Sequence, residues 1–197
     1  MATAWQWGCL SPSPISKEAQ LVFLAEEKTQ RPKLIKKQQG CCSACNFPAK
    51  NALRGHYQNE EWVGVCPVCF YALDWTRAPS PSYVLYFPEL ENIRFNRLLH
   101  VLYLWMDSEN EGMAETADTI FDHLNTRLTT SEKILNTHQA MPKQIIDAYW
   151  RLPKEKQPLV SERLKHFRLI PFPVAMEPVT KYWEQAVYPS LRKDLSS

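Results

Sequence analysis

Cys42-Ser43-Ala44-Cys45 and Cys66-Pro67-Val68-Cys69 decide the reading of this chain: two C-x-x-C pairs with residues 46–65 between them. Each pair can occupy a tight knuckle whose sulfurs take one edge of a tetrahedron. The stretch between them is long enough for a β-hairpin that folds the second pair back onto the first. Four thiolates close the coordination shell of a Zn²⁺ ion and leave no position for water or substrate. The pattern therefore predicts one structural zinc rather than a catalytic one, with Cys42, Cys45, Cys66 and Cys69 as ligands. Two disulfides would use the same residues, but the start, Met1-Ala2-Thr3-Ala4-Trp5-Gln6-Trp7, has neither the cationic nor the apolar region of an export signal. A redox centre needs only one pair. Zinc is favoured over both alternatives. Cys41 adjoins Cys42 and could compete for the ion, although the two-residue spacing selects Cys42. Cys9 has no nearby partner and reads as a buried or idle thiol.

Composition sets the frame around the site. The chain has 197 residues, 45% of them hydrophobic, enough for one sizeable core with a small zinc module at its side. A net charge of +2 makes no global electrostatic case for nucleic acid or acidic lipid. The longest apolar cluster, 98–106, is interrupted by His100 and too short to span a bilayer. A soluble protein in a reducing, cytoplasmic setting fits best. Fifteen prolines against five glycines suggest segments stopped and redirected by proline.

Residues 1–15 carry Trp5, Trp7, Pro12 and Pro14 without periodicity and read as an irregular arm that docks somewhere. The run 20–25 fits either a strand or the middle of a helix beginning near Ser16. Lys28, Arg31, Lys33, Lys36 and Lys37 form the one basic concentration, directly before the first knuckle. It reads as a solvated connector in preference to a phosphate-contacting tongue, because no aromatics interleave it.

Between the cysteine pairs, Gly55, Tyr57, Trp62, Val63, Gly64 and Val65 suit a hairpin, and Phe70 to Trp75 a short helix that covers the site. This is a treble-clef-like arrangement, also the scaffold of HNH-type nucleases. Those enzymes add a histidine base, a residue to orient it and ligands for a divalent ion. His56 is the one candidate base here. The next histidine, His100, sits inside an apolar helical pattern, so a nuclease is the weaker reading. Tyr83 to Phe87 predicts a buried strand halted by Pro88.

From Glu89 the period becomes helical. Leu90, Ile93, Leu98, Val101, Leu102 and Trp105 share a broad face, which Phe95, Leu99, Leu104 and Met106 widen. A second helix carries Ala117, Ile120, Phe121, Leu124 and Leu128, and Ser131 is expected to cap a separate short turn. Pro142 suits the first turn of a further helix, whose Ile145, Ile146, Tyr149 and Trp150 share a face, and Pro158 opens another with Leu159, Leu164 and Phe167. Leu169 to Pro173 should be extended. A last helix is expected from about Pro178, with Val179, Tyr182, Trp183, Ala186 and Val187. None of these helices presents convergent acids, a nucleophile–base pair or a glycine loop. Their aromatic stripes read as core, and the surplus of Trp and Tyr near both ends suggests a surface for a protein partner. The expected fold is α+β. An arm with a possible strand or helix occupies 1–36, a treble-clef/HNH-like zinc module with short strands 37–88, and a predominantly α-helical layer packed on it 89–197.

The order of these pieces resembles the IcmJ/DotN family of type IVB (Dot/Icm) secretion and conjugation systems. The likeness rests on the two knuckles with Phe70-Tyr71 and the segment Tyr86-Phe87-Pro88-Glu89-Leu90. It extends to Arg97-Leu98-Leu99-His100-Val101-Leu102, Leu169-Ile170-Pro171 and Tyr182-Trp183-Glu184. It covers about 37–188. The resemblance implies a non-enzymatic cytoplasmic subunit of the coupling complex, held peripherally at the bacterial inner membrane through its partners. Those would be the C-terminal extension of the coupling ATPase (DotL-like) and a DotM-like inner-membrane subunit, with protein substrates recruited indirectly. It also implies an HNH-like fold without the full catalytic set, and zinc ligands at Cys42, Cys45, Cys66 and Cys69. The alternative is an HNH-like metal-dependent nuclease or nucleic-acid-binding module using His56 and the basic tract.

Overall fold

The computed structural model describes residues 17–188. The arm expected over 1–15, with Trp5, Trp7 and Cys9, lies outside the described residues, as do residues 189–197. The architecture is α+β: seven helices and two separate two-stranded antiparallel sheets among the described residues. No described helix is long and apolar enough to cross a membrane.

Helix α1 spans Lys17–Lys37, with Glu18 in its first turn and Lys36 and Lys37 in its last, as the helix dipole favours. The basic tract read as a connector is the second half of this helix. Its inward residues explain the misreading. Glu27 and Leu34 are buried and Phe23, Gln30 and Arg31 half-buried, whereas Leu21, Val22 and Leu24 are exposed. The stripe that meets the rest of the protein is polar at its centre, so no apolar period announces it. The helix ends in a Schellman motif: Gln39 turns left-handed at φ 53°, and the Gly40 amide reaches Ile35 O at 2.9 Å.

Strands β1 (Arg54–Gln58) and β2 (Glu61–Val65) form the expected hairpin, in register Gly55↔Gly64 and Gln58↔Glu61. Asn59 and Glu60 both have positive φ, the type I′ geometry whose twist matches the strands. Helix α1 lies close over this hairpin. Glu27 accepts from Arg54 Nε at 2.9 Å and from the Gly55 amide at 3.1 Å, and Phe23 packs on Trp62 at 4.9 Å between ring centroids. A Cβ on Gly55 would stand 2.9 Å from Glu27 Cγ, so the approach requires glycine there.

Helix α2 (Pro67–Leu73) follows directly, and Asp74 caps a short 3₁₀ turn over Trp75–Arg77. Strand β3 (Ser82–Tyr86) pairs with the distant β4 (Phe167–Pro171) in register Val84↔Leu169. Helix α3 (Asn92–Met106) buries Phe95, Leu99, Leu102 and Tyr103. Each such side chain contributes about 1.5–3 kcal/mol on burial. Helix α4 (Glu111–Leu135) packs on α3 and β3. Ser131 does not cap a separate turn. Nothing in the preceding Leu128-Thr129-Thr130 breaks a helix, so α4 runs on through it. The buried Ser131 hydroxyl donates to Arg127 O at 2.9 Å and accepts from the Tyr86 amide at 2.6 Å, tying α4 to β3.

Helix α5 (Pro142–Trp150) begins at the expected Pro142, and α6 (Gln157–Leu164) carries Pro158 as its second residue. Leu159, however, faces solvent, and Phe167 falls in β4 rather than on the helix. Helix α7 (Pro173–Ala186) starts at Pro173, ahead of the expected Pro178, which lies inside it. Proline at the first helical position loses no bond, so Pro173 opens the helix as readily as Pro178 could have. Two apolar clusters result. One runs from the cysteines through α2, α3, α4 and α7. The other joins Trp75, Val84, Ile145, Ile146, Leu164, Phe167 and Leu169.

Candidate metal centre

The first knuckle is closed by its own backbone. The Cys42 amide donates to Phe47 O and the Asn46 amide to Cys42 O, each at 2.8 Å, with Asn46 left-handed at φ 61°. Ser43 N bonds Gly64 O at 3.0 Å, which hangs this knuckle on β2. The second pair sits at a helix start. Cys66 is the N-cap of α2, Pro67 follows it, and Cys66 Sγ accepts from the Cys69 amide at 3.4 Å. The helix dipole there favours negative charge on sulfur.

The fold brings Cys42, Cys45, Cys66 and Cys69 together. All four are buried, with their sulfurs within 4.8 Å of one another. A Zn–S bond of about 2.3 Å places the sulfurs of a ZnS₄ tetrahedron about 3.8 Å apart. The Cys45 and Cys66 sulfurs lie 3.7 Å apart, so the cluster is compatible with one zinc ion. Its electrostatics fit a dication. Hydrogen bonds from Cys45, Cys66 and Cys69 drive the Cys42 thiol far below its ordinary range. Burial, reinforced by the neighbouring thiols, pushes Cys66 and Cys69 well above it. Four sulfurs in so small a dry volume hold little negative charge among themselves. A dication supplies the positive charge that lets all four ionise.

Reasoning from the sequence missed the groups behind the sulfurs. His100, read as one more residue of an apolar helix, places Nε2 3.2 Å from Cys66 Sγ and 3.8 Å from Cys45 Sγ. Burial lowers its pKa to about 3, with the Cys42 charge pulling the other way, so the ring is neutral at neutral pH. Its Nδ1 has no hydrogen-bond partner among the described residues, so the ring proton belongs on Nε2, facing the thiolates. Asn96, one turn earlier, donates from Nδ2 to Cys69 Sγ at 3.3 Å, and Arg97 Nε donates to Cys45 O at 2.9 Å. Both Asn96 and His100 are almost fully buried. Two buried polar residues four apart on the apolar face of α3 were the available signal. Donors to metal-bound thiolates offset their charge and hold them in place. Phe47 stacks on His100 at 3.8 Å, and Trp183 of α7 meets both rings at 4.7 and 4.9 Å. A helix near the end of the chain thus completes the wall around the sulfurs.

The remaining candidates lie elsewhere. Cys41 is half-buried, with its sulfur 4.0 Å from Gln39 O and outside the four-sulfur group. His56 is on β1. Burial lowers its pKa, while Asp74 raises it and Arg77 lowers it further. Asp74 itself is bound to Arg77 Nε at 2.8 Å and to the Thr76 amide at 3.0 Å. Among the described residues the four cysteines are the one group of three or more side chains placed to hold a metal. From the basic tract, Arg31 bonds Asn51 O, and Lys28, Lys33, Lys36 and Lys37 are exposed on α1. Comparison with family models gives no match to this chain, and comparison with curated proteins gives none either.

Proposed function

We propose that this protein is a zinc-stabilised adaptor, without chemistry of its own, in a type IV secretion or conjugation coupling complex. In this reading it binds the C-terminal extension of the coupling ATPase and sits beside a DotM-like subunit in the cytoplasm at the inner membrane. There it helps gather protein substrates. The observation that carries the reading is the site itself. Four buried sulfurs, backed by Asn96 and His100 and walled by Phe47 and Trp183, give an ion all its ligands and no open position. Such an ion braces a fold. The sequence of knuckle, hairpin and helix start supports a treble-clef description of residues 41–73, and the ordered motifs shared with the IcmJ/DotN family support the choice of complex. The test is co-purification of the full chain with the C-terminal extension of a coupling ATPase of such a system. A stoichiometric, zinc-containing complex is expected, and the absence of any binding overturns the reading.

His56 favours a second reading, an HNH-like nuclease, because a half-buried neutral imidazole on the first hairpin strand is a usable proton acceptor. Incubation with plasmid DNA and Mg²⁺ or Mn²⁺ discriminates between the two. The adaptor reading expects intact plasmid, and cleavage that disappears in His56→Ala replaces it with the nuclease.

A further inference from the structure

Beside the first knuckle the surface opens into a cleft of about 470 Å³. Its walls are Phe47, Val101, Leu104, Trp105 and Tyr188, and among the described residues its one charged lining residue is Arg97. Val101 is 41% exposed although its neighbours on α3 pack inward. Arg97, Val101, Leu104 and Trp105 fall at i, i+4, i+7 and i+8 on one stripe of α3, whose Leu104 and Trp105 also pack in part against the core. The apolar walls and the cation meet at one point. Arg97 spends Nε on Cys45 O, and none of the ion pairs among the described residues includes it. No carboxylate among the described residues lines the cleft. His100 and Cys45 of the metal-site wall also line it.

We propose that this cleft is a peptide-binding site. It takes a segment of a partner protein that inserts a large aliphatic or aromatic side chain between Val101 and Trp105 and presents a carboxylate to Arg97. Charge decides the occupant. Among the described residues the cleft offers an incoming chain one guanidinium outside any ion pair and no acid, and a guanidinium fork binds carboxylate in two-point geometry. An amphipathic helix with acidic residues flanking its apolar anchors fits a groove that runs along another helix. The chain's own 189–197, Pro189-Ser190-Leu191-Arg192-Lys193-Asp194-Leu195-Ser196-Ser197, sets two cations beside its one acid, Asp194, and is the competing occupant that the test addresses. The proposal deepens the adaptor reading and rests on it for the identity of the partner, not for the chemistry of the site.

The experiment selects a phage-displayed library of random dodecapeptides on the full-length, zinc-loaded chain. Selected peptides should pair a large apolar residue with a nearby Asp or Glu. One of them, labelled and titrated, should bind Val101→Glu and Arg97→Glu about tenfold or more weakly than the parent protein. Its Glu-to-Lys version should regain binding to Arg97→Glu. Val101 faces solvent, whereas Arg97 also holds Cys45 O. Zinc content is therefore measured for each variant, and Val101→Gln and Arg97→Gln serve as the milder pair if it falls in either. The proposal is overturned if no peptide is selected, if the selected peptides lack acids, or if the variants bind like the parent. Tighter peptide binding after removal of residues 189–197 also overturns it, since the chain's own tail would then be the occupant. The same variants titrated with the ATPase extension separate the two readings. An extension that binds parent and variants alike keeps the adaptor and removes the cleft. Peptides that obey the cleft while no extension binds keep the cleft and remove the adaptor.

Discussion

The two apolar clusters of this protein are built on different principles. Around Trp75, Val84, Ile145, Ile146, Leu164, Phe167 and Leu169, a two-stranded sheet joins residues far apart in sequence and is covered by α5 and α6. That region needs only apolar burial to hold. Around the cysteines, a five-residue hairpin pair, a seven-residue helix and a knuckle gather four thiols in a dry volume. There the burial of Phe47, Phe70 and Leu53 works against the cost of packing ionisable sulfurs together. A metal bound there would become part of the fold, because short elements bury too little surface to offset the charge they enclose.

The strongest way to break this contrast is to remove one sulfur. Cys66→Ser should abolish stoichiometric zinc by elemental analysis and deprotect the amides of residues 42–73 in hydrogen exchange. Structural zinc sites carry apparent binding energies of about 10–16 kcal/mol, so the loss should exceed any other single change. Wild-type protection in that variant would mean the sulfurs brace nothing. Next in size, Phe167→Ala should cost about 3–5 kcal/mol in chemical denaturation while zinc content stays unchanged. Zinc lost along with stability would show one cooperative unit instead of two principles.

His100→Phe sharpens the account of the thiol side. Phenylalanine keeps the stack on Phe47 but removes the Nε2 donor. Zinc affinity, measured by competition with a chromophoric chelator, should fall about 10–100-fold with little change in the folded core. Equal affinity would reduce His100 to packing.

The smallest effect is expected at Glu27, which couples α1 to the hairpin. Burial pushes its carboxyl up, but the Arg54 hydrogen bond, the Gly55 amide and the charges of Arg54 and Arg31 together hold it below the ordinary value. A depressed carboxylate stabilises fully above its unfolded pKa and loses that contribution as pH falls through the folded one. Glu27→Gln should therefore cost about 1–2 kcal/mol at neutral pH, at the low end because the Arg54 side chain is 30% exposed. The gap between variant and parent should close as the medium is acidified below the carboxylate range. A gap independent of pH would assign the cost to packing. Loss of zinc in acid affects both proteins alike and drops out of the difference.

Much of the thiol side was legible because its signals are local. The C-x-x-C spacing, the strands flanking Asn59-Glu60 and the prolines in the first turns of α5 and α6 act within a few residues of themselves. The short helix expected over 70–75, by contrast, lies at Pro67–Leu73. Helix α1 was legible only in part. Residues 20–25 fitted a helix beginning near Ser16 as well as a strand, and the second half read as a connector. Its inward stripe runs through Glu27, Gln30 and Arg31, and a polar stripe has no hydrophobic period. Ser131 misled for a related reason. A serine caps a helix or bonds within one, and only the presence of β3 beside it decided which.

From the amino acids alone came the four sulfurs, the hairpin that joins them and the alternation of helices behind it, because each depends on neighbours along the chain. Tertiary structure alone decided that Asn96 and His100 stand behind those sulfurs, that Trp183 closes the wall, and that Arg97 meets an apolar cleft. Those contacts join segments distant in sequence, and no residue's local pattern records which distant partner it will bury against.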